Sequence, residues 1–88
     1  MKKKKQSRSL LISETQDTFF RDLPALTLYG TSLAEIDNFK ALLDFSHESL
    51  GLATSGGIIR INGNALEITI LTDDSVSVKG EIKNIEFD

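Results

Sequence analysis

With 88 residues, 40% of them hydrophobic and 26% charged, the chain has the composition of one small soluble globular domain and is too short for a multidomain enzyme. It contains no cysteine, which excludes a disulfide scaffold, a thiolate metal site and a cysteine nucleophile. The formal net charge of −3 joins a basic start to an acidic remainder: Lys2, Lys3, Lys4, Lys5 and Arg8 supply five of the ten basic residues, and all thirteen acids lie from Glu14 onward.

Residues 1–21 read as a basic arm, either disordered or carrying a short helix. The candidate helix covers residues 9 to 22, with Ser13 as N-cap and Gln16 three residues on, and Pro24 ends it by Asp22. A lysine cluster attracts the phosphates of nucleic acid or of an anionic lipid surface through counterion release. Phe19 and Phe20, with Leu10, Leu11 and Ile12, are apolar enough to cover one end of a core or to dip into a membrane surface. The Leu10-Leu11-Ile12 stretch is shorter than the roughly 7–15 apolar residues of a secretory signal, and no later run approaches the ~20 of a membrane span. The expectation is a protein made and kept in the cytosol.

From residue 22 the chain reads as a single all-β domain. Short segments alternate apolar and polar residues between Gly, Asn, Asp and Ser clusters, the pattern of an antiparallel meander. Pro24 and Gly30 bracket a first strand through Leu26 and Leu28, and Leu33 to Phe39 forms a second. Leu42, Leu43 and Phe45 belong to a third that breaks at Ser46-His47-Glu48-Ser49, and Leu50 and Leu52 precede a turn at Ser55-Gly56-Gly57. Ile59 and Ile61 then alternate with Arg60, and Asn62-Gly63 predicts a tight hairpin turn, because that pair readily adopts two positive-φ positions. Leu66, Ile68 and Ile70 form the return strand, Thr72-Asp73-Asp74-Ser75 a polar turn, and Val76, Val78, Gly80 and Ile82 the last strand. Ile85 and Phe87 occupy the opposite parity, so a bulge or bend is predicted near Lys83-Asn84, where the strand changes partner or sheet. The fold expected is mainly β, a small antiparallel meander closed as a roll or a two-layer sandwich, with a short β-solenoid-like stack as the alternative. Pro24, Gly30, Gly57, Asn62, Gly63 and Gly80 are its structural turn positions.

The residues that could support catalysis are few. His47 is the single histidine, and Asp44, Ser46 and Glu48 surround it in sequence, but Ser46-His47-Glu48-Ser49 reads as an exposed turn. Asp73-Asp74 lacks the ligand spacing of a calcium loop, and Gly51, Gly56, Gly57 and Gly63 lack the ending of a phosphate-binding loop. Phe39, Phe45, Phe87 and Tyr29 fall mainly on core parity without interleaved bases, so specific nucleic-acid binding is not expected. No catalytic residue, metal or cofactor is anticipated. What the body offers is strands and their edges, natural places to add another chain.

The opening Leu23-Pro24-x-Leu26-Thr27-Leu28-x-Gly30, the Ile36-x-Asn38 segment, Gly57-Ile58-Ile59-Arg60-Ile61-x-Gly63 and the ending Gly80-x-Ile82-x-x-Ile85-x-Phe87 occur in this order. Together they resemble the YabP/YqfC family of sporulation proteins, most closely its YqfC branch, over residues 22 to 88. Ala25 stands where family members usually carry a basic residue, and Phe39-Lys40 where they usually carry a basic or small pair. The resemblance implies a small non-enzymatic protein of endospore-forming bacteria, made in the mother cell and acting in spore envelope assembly. The regular alternation, the lack of catalytic chemistry and the basic arm beside apolar residues give the leading expectation, an adaptor that adds to a protein partner through a sheet edge and the apolar patch around Phe19 and Phe20. A sporulation membrane protein is the candidate partner and a homo-oligomer a further one. The alternative is a peripheral membrane or phosphate-binding module at the forespore membrane, using Lys2 to Arg8.

Overall fold

The computed structural model describes residues 23–88. The candidate helix and the basic arm, with Lys2, Lys3, Lys4, Lys5, Arg8, Phe19 and Phe20, lie outside the described residues. The described chain forms β1 (Ala25–Tyr29), β2 (Leu33–Asp37), β3 (Phe39–Phe45), β4 (Ser49–Thr54), β5 (Gly57–Leu71) and β6 (Ser75–Phe87). All pair antiparallel in one sheet of order β1-β2-β6-β5-β4-β3. Strands β3 to β6 are thus a meander, and the β1–β2 hairpin is added beside β6. The antiparallel pairing agrees with the roll and excludes the solenoid-like stack.

The roll follows from the lengths of β5 and β6 and from a one-residue link. β5 has 15 residues and β6 has 13. The first half of β5 pairs on its far side with β4, from Thr54↔Gly57 to Ser49↔Asn62, whereas the first half of β6 pairs with β2, from Asp37↔Ser75 to Leu33↔Lys79. Only Asn38 separates the end of β2 from the start of β3, although three strands lie between them in the sheet order. One residue spans a few ångströms, so the sheet must curl until those ends meet. Asn38 sits at φ 66°, a conformation asparagine tolerates, and its backbone N–H donates to the Asp74 carbonyl at 2.7 Å. Its side-chain amide donates to the Leu23 carbonyl at 3.0 Å.

Curling gives both halves one interior. Ala34 and Ile36 of β2, Phe39 of β3, Leu50 and Leu52 of β4, Ile59, Ile61 and Leu66 of β5, and Val76, Val78 and Ile82 of β6 form a single buried cluster. Each fully buried aliphatic side chain there contributes about 1.5–3 kcal/mol by leaving water.

The Asn62-Gly63 hairpin is not formed. β5 runs uninterrupted through both residues, and neither has a positive φ. Gly63 is needed instead for close approach: a Cβ there would overlap the Glu81 carbonyl oxygen and lie 3.1 Å from the Ile82 Cα. The change of inward parity between Ile61 and Leu66 is made by a bulge, with Ala65 at φ 55° and the register stepping from Asn64↔Glu81 to Glu67↔Lys79. Gly80 likewise lies within a strand rather than in a turn. It holds φ 142° opposite the bulge, where a Cβ would be 2.7 Å from the Ala65 carbonyl oxygen.

Other turn positions stand where the sequence put them. Gly30 has φ 61° between β1 and β2, Gly57 has φ 118° where β5 begins, and Pro24 immediately precedes β1. The predicted second strand divides at Asn38, so Phe39 opens β3. The bulge near Lys83-Asn84 is present: pairing passes from Asn62↔Asn84 to Gly63↔Ile82 and leaves Lys83 unopposed. The last strand changes neither sheet nor partner there, because it stays paired with β5 on both sides of the bulge.

Candidate interaction surface

The β3–β4 turn carries His47, whose ring nitrogen bonds a backbone carbonyl of β5. His47 Nδ1 donates to the Leu66 carbonyl at 3.1 Å, and Leu66 N–H donates to the His47 carbonyl at 2.8 Å. A carbonyl can only accept, which fixes the proton on Nδ1. The imidazole meets the Phe45 ring edge-on with centroids 6.2 Å apart. His47 therefore braces the β3–β4 turn against the β5 bulge.

Asp44 is turned toward Arg60 instead. The guanidinium donates to Asp44 Oδ1 at 2.8 Å and Oδ2 at 2.9 Å, and to Ser49 Oγ at 2.8 Å. Asp44, Gly51 and Arg60 are cross-strand neighbours on β3, β4 and β5, and the guanidinium lies across Gly51, where a Cβ would be 2.7 Å from Nη2. The bidentate pair thus straps β3 to β5 over β4. The hydrogen bonds from Arg60 hold the Asp44 carboxyl below its ordinary pKa, and those to Asp44 raise that of Arg60.

What the strap fastens is an edge strand. Six of the seven residues of β3 are exposed, among them Leu42 at 40%, Leu43 at 48% and Phe45 at 38%. Among the described residues β3 pairs with β4 along one side only. Register shifts leave Lys40 and Leu43 without an opposite residue in β4. Leu42 and Phe45 face the same side as Leu52 and Leu50, with Phe39 beginning that row, while Ala41 and Asp44 face the other side opposite Ala53 and Gly51. The repeat along β3 is therefore three residues, not two.

At the opposite edge, β1 exposes Leu28 and Tyr29, and the Tyr29 hydroxyl donates to Glu35 Oε1 at 3.2 Å. That hydrogen bond, with the charge of Glu35, raises the phenol pKa. Among the described residues there is no pocket, no group of three or more side chains suited to a metal ion, and no helix long and apolar enough to cross a membrane. Strand edges were expected from the sequence, but that β3 is one of them, and the Arg60–Asp44 strap, were missed, because strand order and a contact between residues 16 apart arise only through register. The apolar spacing of Phe39, Leu42 and Phe45 was the available signal.

These features define a small antiparallel β roll with a bulged, apolar edge strand. The chain belongs to the YabP family, whose family model matches residues 22–88. No curated protein and no solved structure matches it.

Proposed function

We infer that the protein is a non-enzymatic sporulation adaptor, acting in the mother-cell cytoplasm during spore envelope assembly and taking up an extended segment of a protein partner along β3. Family membership supports the sporulation role. The observation that carries the binding role is β3 itself, an edge strand whose apolar side chains are exposed and whose outer side has no neighbouring strand among the described residues. Adding a strand there satisfies backbone groups and buries Leu42, Leu43 and Phe45 together. The test is a photo-crosslinking residue at position 43 in sporulating cells, with position 67 on the exposed middle of β5 as control. The expected result is a discrete protein adduct at 43 that is absent at 67. Equal labelling at both positions refutes the reading.

A second reading rests on the five basic residues between Lys2 and Arg8, which suit an anionic membrane surface. Full-length protein would then bind phosphatidylserine vesicles at low salt and lose that binding on deletion of residues 1–12. Binding that survives the deletion removes it.

A further inference from the structure

The free edge of β3 is nearly its own complement. Reading outward from Leu42, the residues three away on each side, Phe39 and Phe45, share its core-facing row, and the four between are Lys40, Ala41, Leu43 and Asp44. An antiparallel copy placed about a two-fold axis through Leu42 sets Leu42 against Leu42 and Phe39 against Phe45. It sets Ala41 against Leu43 and, twice over, Lys40 against Asp44. Opposite charges directly across an antiparallel pair attract, and apolar rows meet apolar rows.

The bulges narrow the choice of occupant. Bulges are a common defence of edge strands, and β4, a regular strand, pairs with β3 only by leaving two of its seven residues, Lys40 and Leu43, unopposed. A strand with the same three-residue repeat keeps its faces in step, and β3 of a second copy has it. Asp44 can also serve both partners: Arg60 takes one hydrogen bond at each carboxylate oxygen, and a carboxylate offers about four lone-pair sites. Lys40 is exposed and forms no ion pair among the described residues.

We propose that the strand taken up along β3 is β3 of a second copy of this chain, so that the protein is a two-fold dimer with one sheet running through both copies. This rests on the edge reading above and names its occupant. Isologous contacts of this kind are the commonest way in which soluble proteins pair.

The test uses the full chain, whose lack of cysteine gives a clean background. Residues opposite each other at such an axis have Cα atoms about 4.5–5.5 Å apart, within disulfide range. Leu42→Cys is expected to oxidise to a covalent dimer many times faster than Leu28→Cys, a comparably exposed residue on the β1 edge. Lys40→Glu and Asp44→Lys are each expected to be monomeric by light scattering, and their equimolar mixture to regain the dimer mass. Should Asp44→Lys fail to fold, Lys40→Glu and the cysteine pair decide alone. A wild-type chain that stays monomeric at ~100 µM, where a complex of micromolar affinity is mostly formed, with equal oxidation at positions 42 and 28, overturns the dimer. If position 43 then crosslinks to a different protein in cells, the edge reading survives without the dimer; if it crosslinks to nothing, both fall.

Discussion

Replacing Ala65 by glycine is expected to stabilise the protein, the reverse of what glycine usually does inside a strand. Ala65 sits at φ 55° in the bulge that carries β5 from one inward parity to the other, and its methyl group is exposed. Holding an L-residue in the left-handed region costs roughly 1–2 kcal/mol. The greater freedom of glycine in the unfolded chain returns about 0.5–1 kcal/mol of that, and an exposed methyl adds almost no burial to lose. The net gain for Ala65→Gly is about 0.5–1 kcal/mol, or roughly 3–6 °C in Tm for a domain of this size. Urea unfolding followed by circular dichroism would show a higher midpoint at unchanged slope. Gly80→Ala, directly across the bulge, supplies the opposite sign. Its Cβ would meet three backbone atoms, the Ala65 and Asn64 carbonyl oxygens and the Leu66 Cα, at 2.7–3.0 Å, and its own φ of 142° disfavours a side chain. Conformation alone costs about 1–3 kcal/mol there, before the overlap is relieved. A neutral or destabilised Ala65→Gly protein would refute the left-handed bulge, and with it the account of how β5 turns its face.

Three further outcomes follow from the strap and the core. The Asp44 carboxyl is held below its ordinary value, so its pairing stabilises the fold above that ordinary value and is lost as pH falls through the lowered one. Asp44→Asn should therefore flatten the fall of the urea midpoint below about pH 4, and an unchanged acid limb contradicts this. Gly51→Ala should push the guanidinium off Asp44, seen by NMR as a rise of the Asp44 titration toward the ordinary carboxylate range and faster amide exchange along β3. Ile61→Ala should cost about 2–5 kcal/mol, a large share of a domain's total, while Ile61→Val costs about 0.5–1.5 kcal/mol; equal effects of the two would mean the site is not closely packed.

Much of this fold is legible along the chain. Alternation located β1, β4 and the ends of β6, and the polar clusters at Ser46-His47-Glu48 and Thr72-Asp73-Asp74 are where the chain reverses. Asn62-Gly63 misled because glycine answers two different needs, a positive φ or room for a neighbouring backbone, and only the second operates at Gly63. The parity change at Lys83 could be read because the residues on both sides of it are strongly apolar. β3 was legible as a strand through Leu42, Leu43 and Phe45, but its start at Phe39 and its facing were not, because two bulges give it a three-residue repeat that belongs neither to a regular strand nor to a helix. Nothing local announces the contact of Arg60 with Asp44, which depends on three strands lying side by side.

The single residue between β2 and β3 has a mechanical result. In the hydrogen-bonded ribbon β3 is the last strand at one margin, yet covalently it is yoked through Asn38 to β2, which is zipped to β6 at the other end. Tension applied to the margin by anything attached there passes within one peptide unit to the Asp74 carbonyl, which receives the N–H groups of both Asn38 and Phe39. The bulged margin and β2 are thus tied through one residue and one shared acceptor, so a pull on β3 loads the turn before β6 ahead of the rest of the sheet.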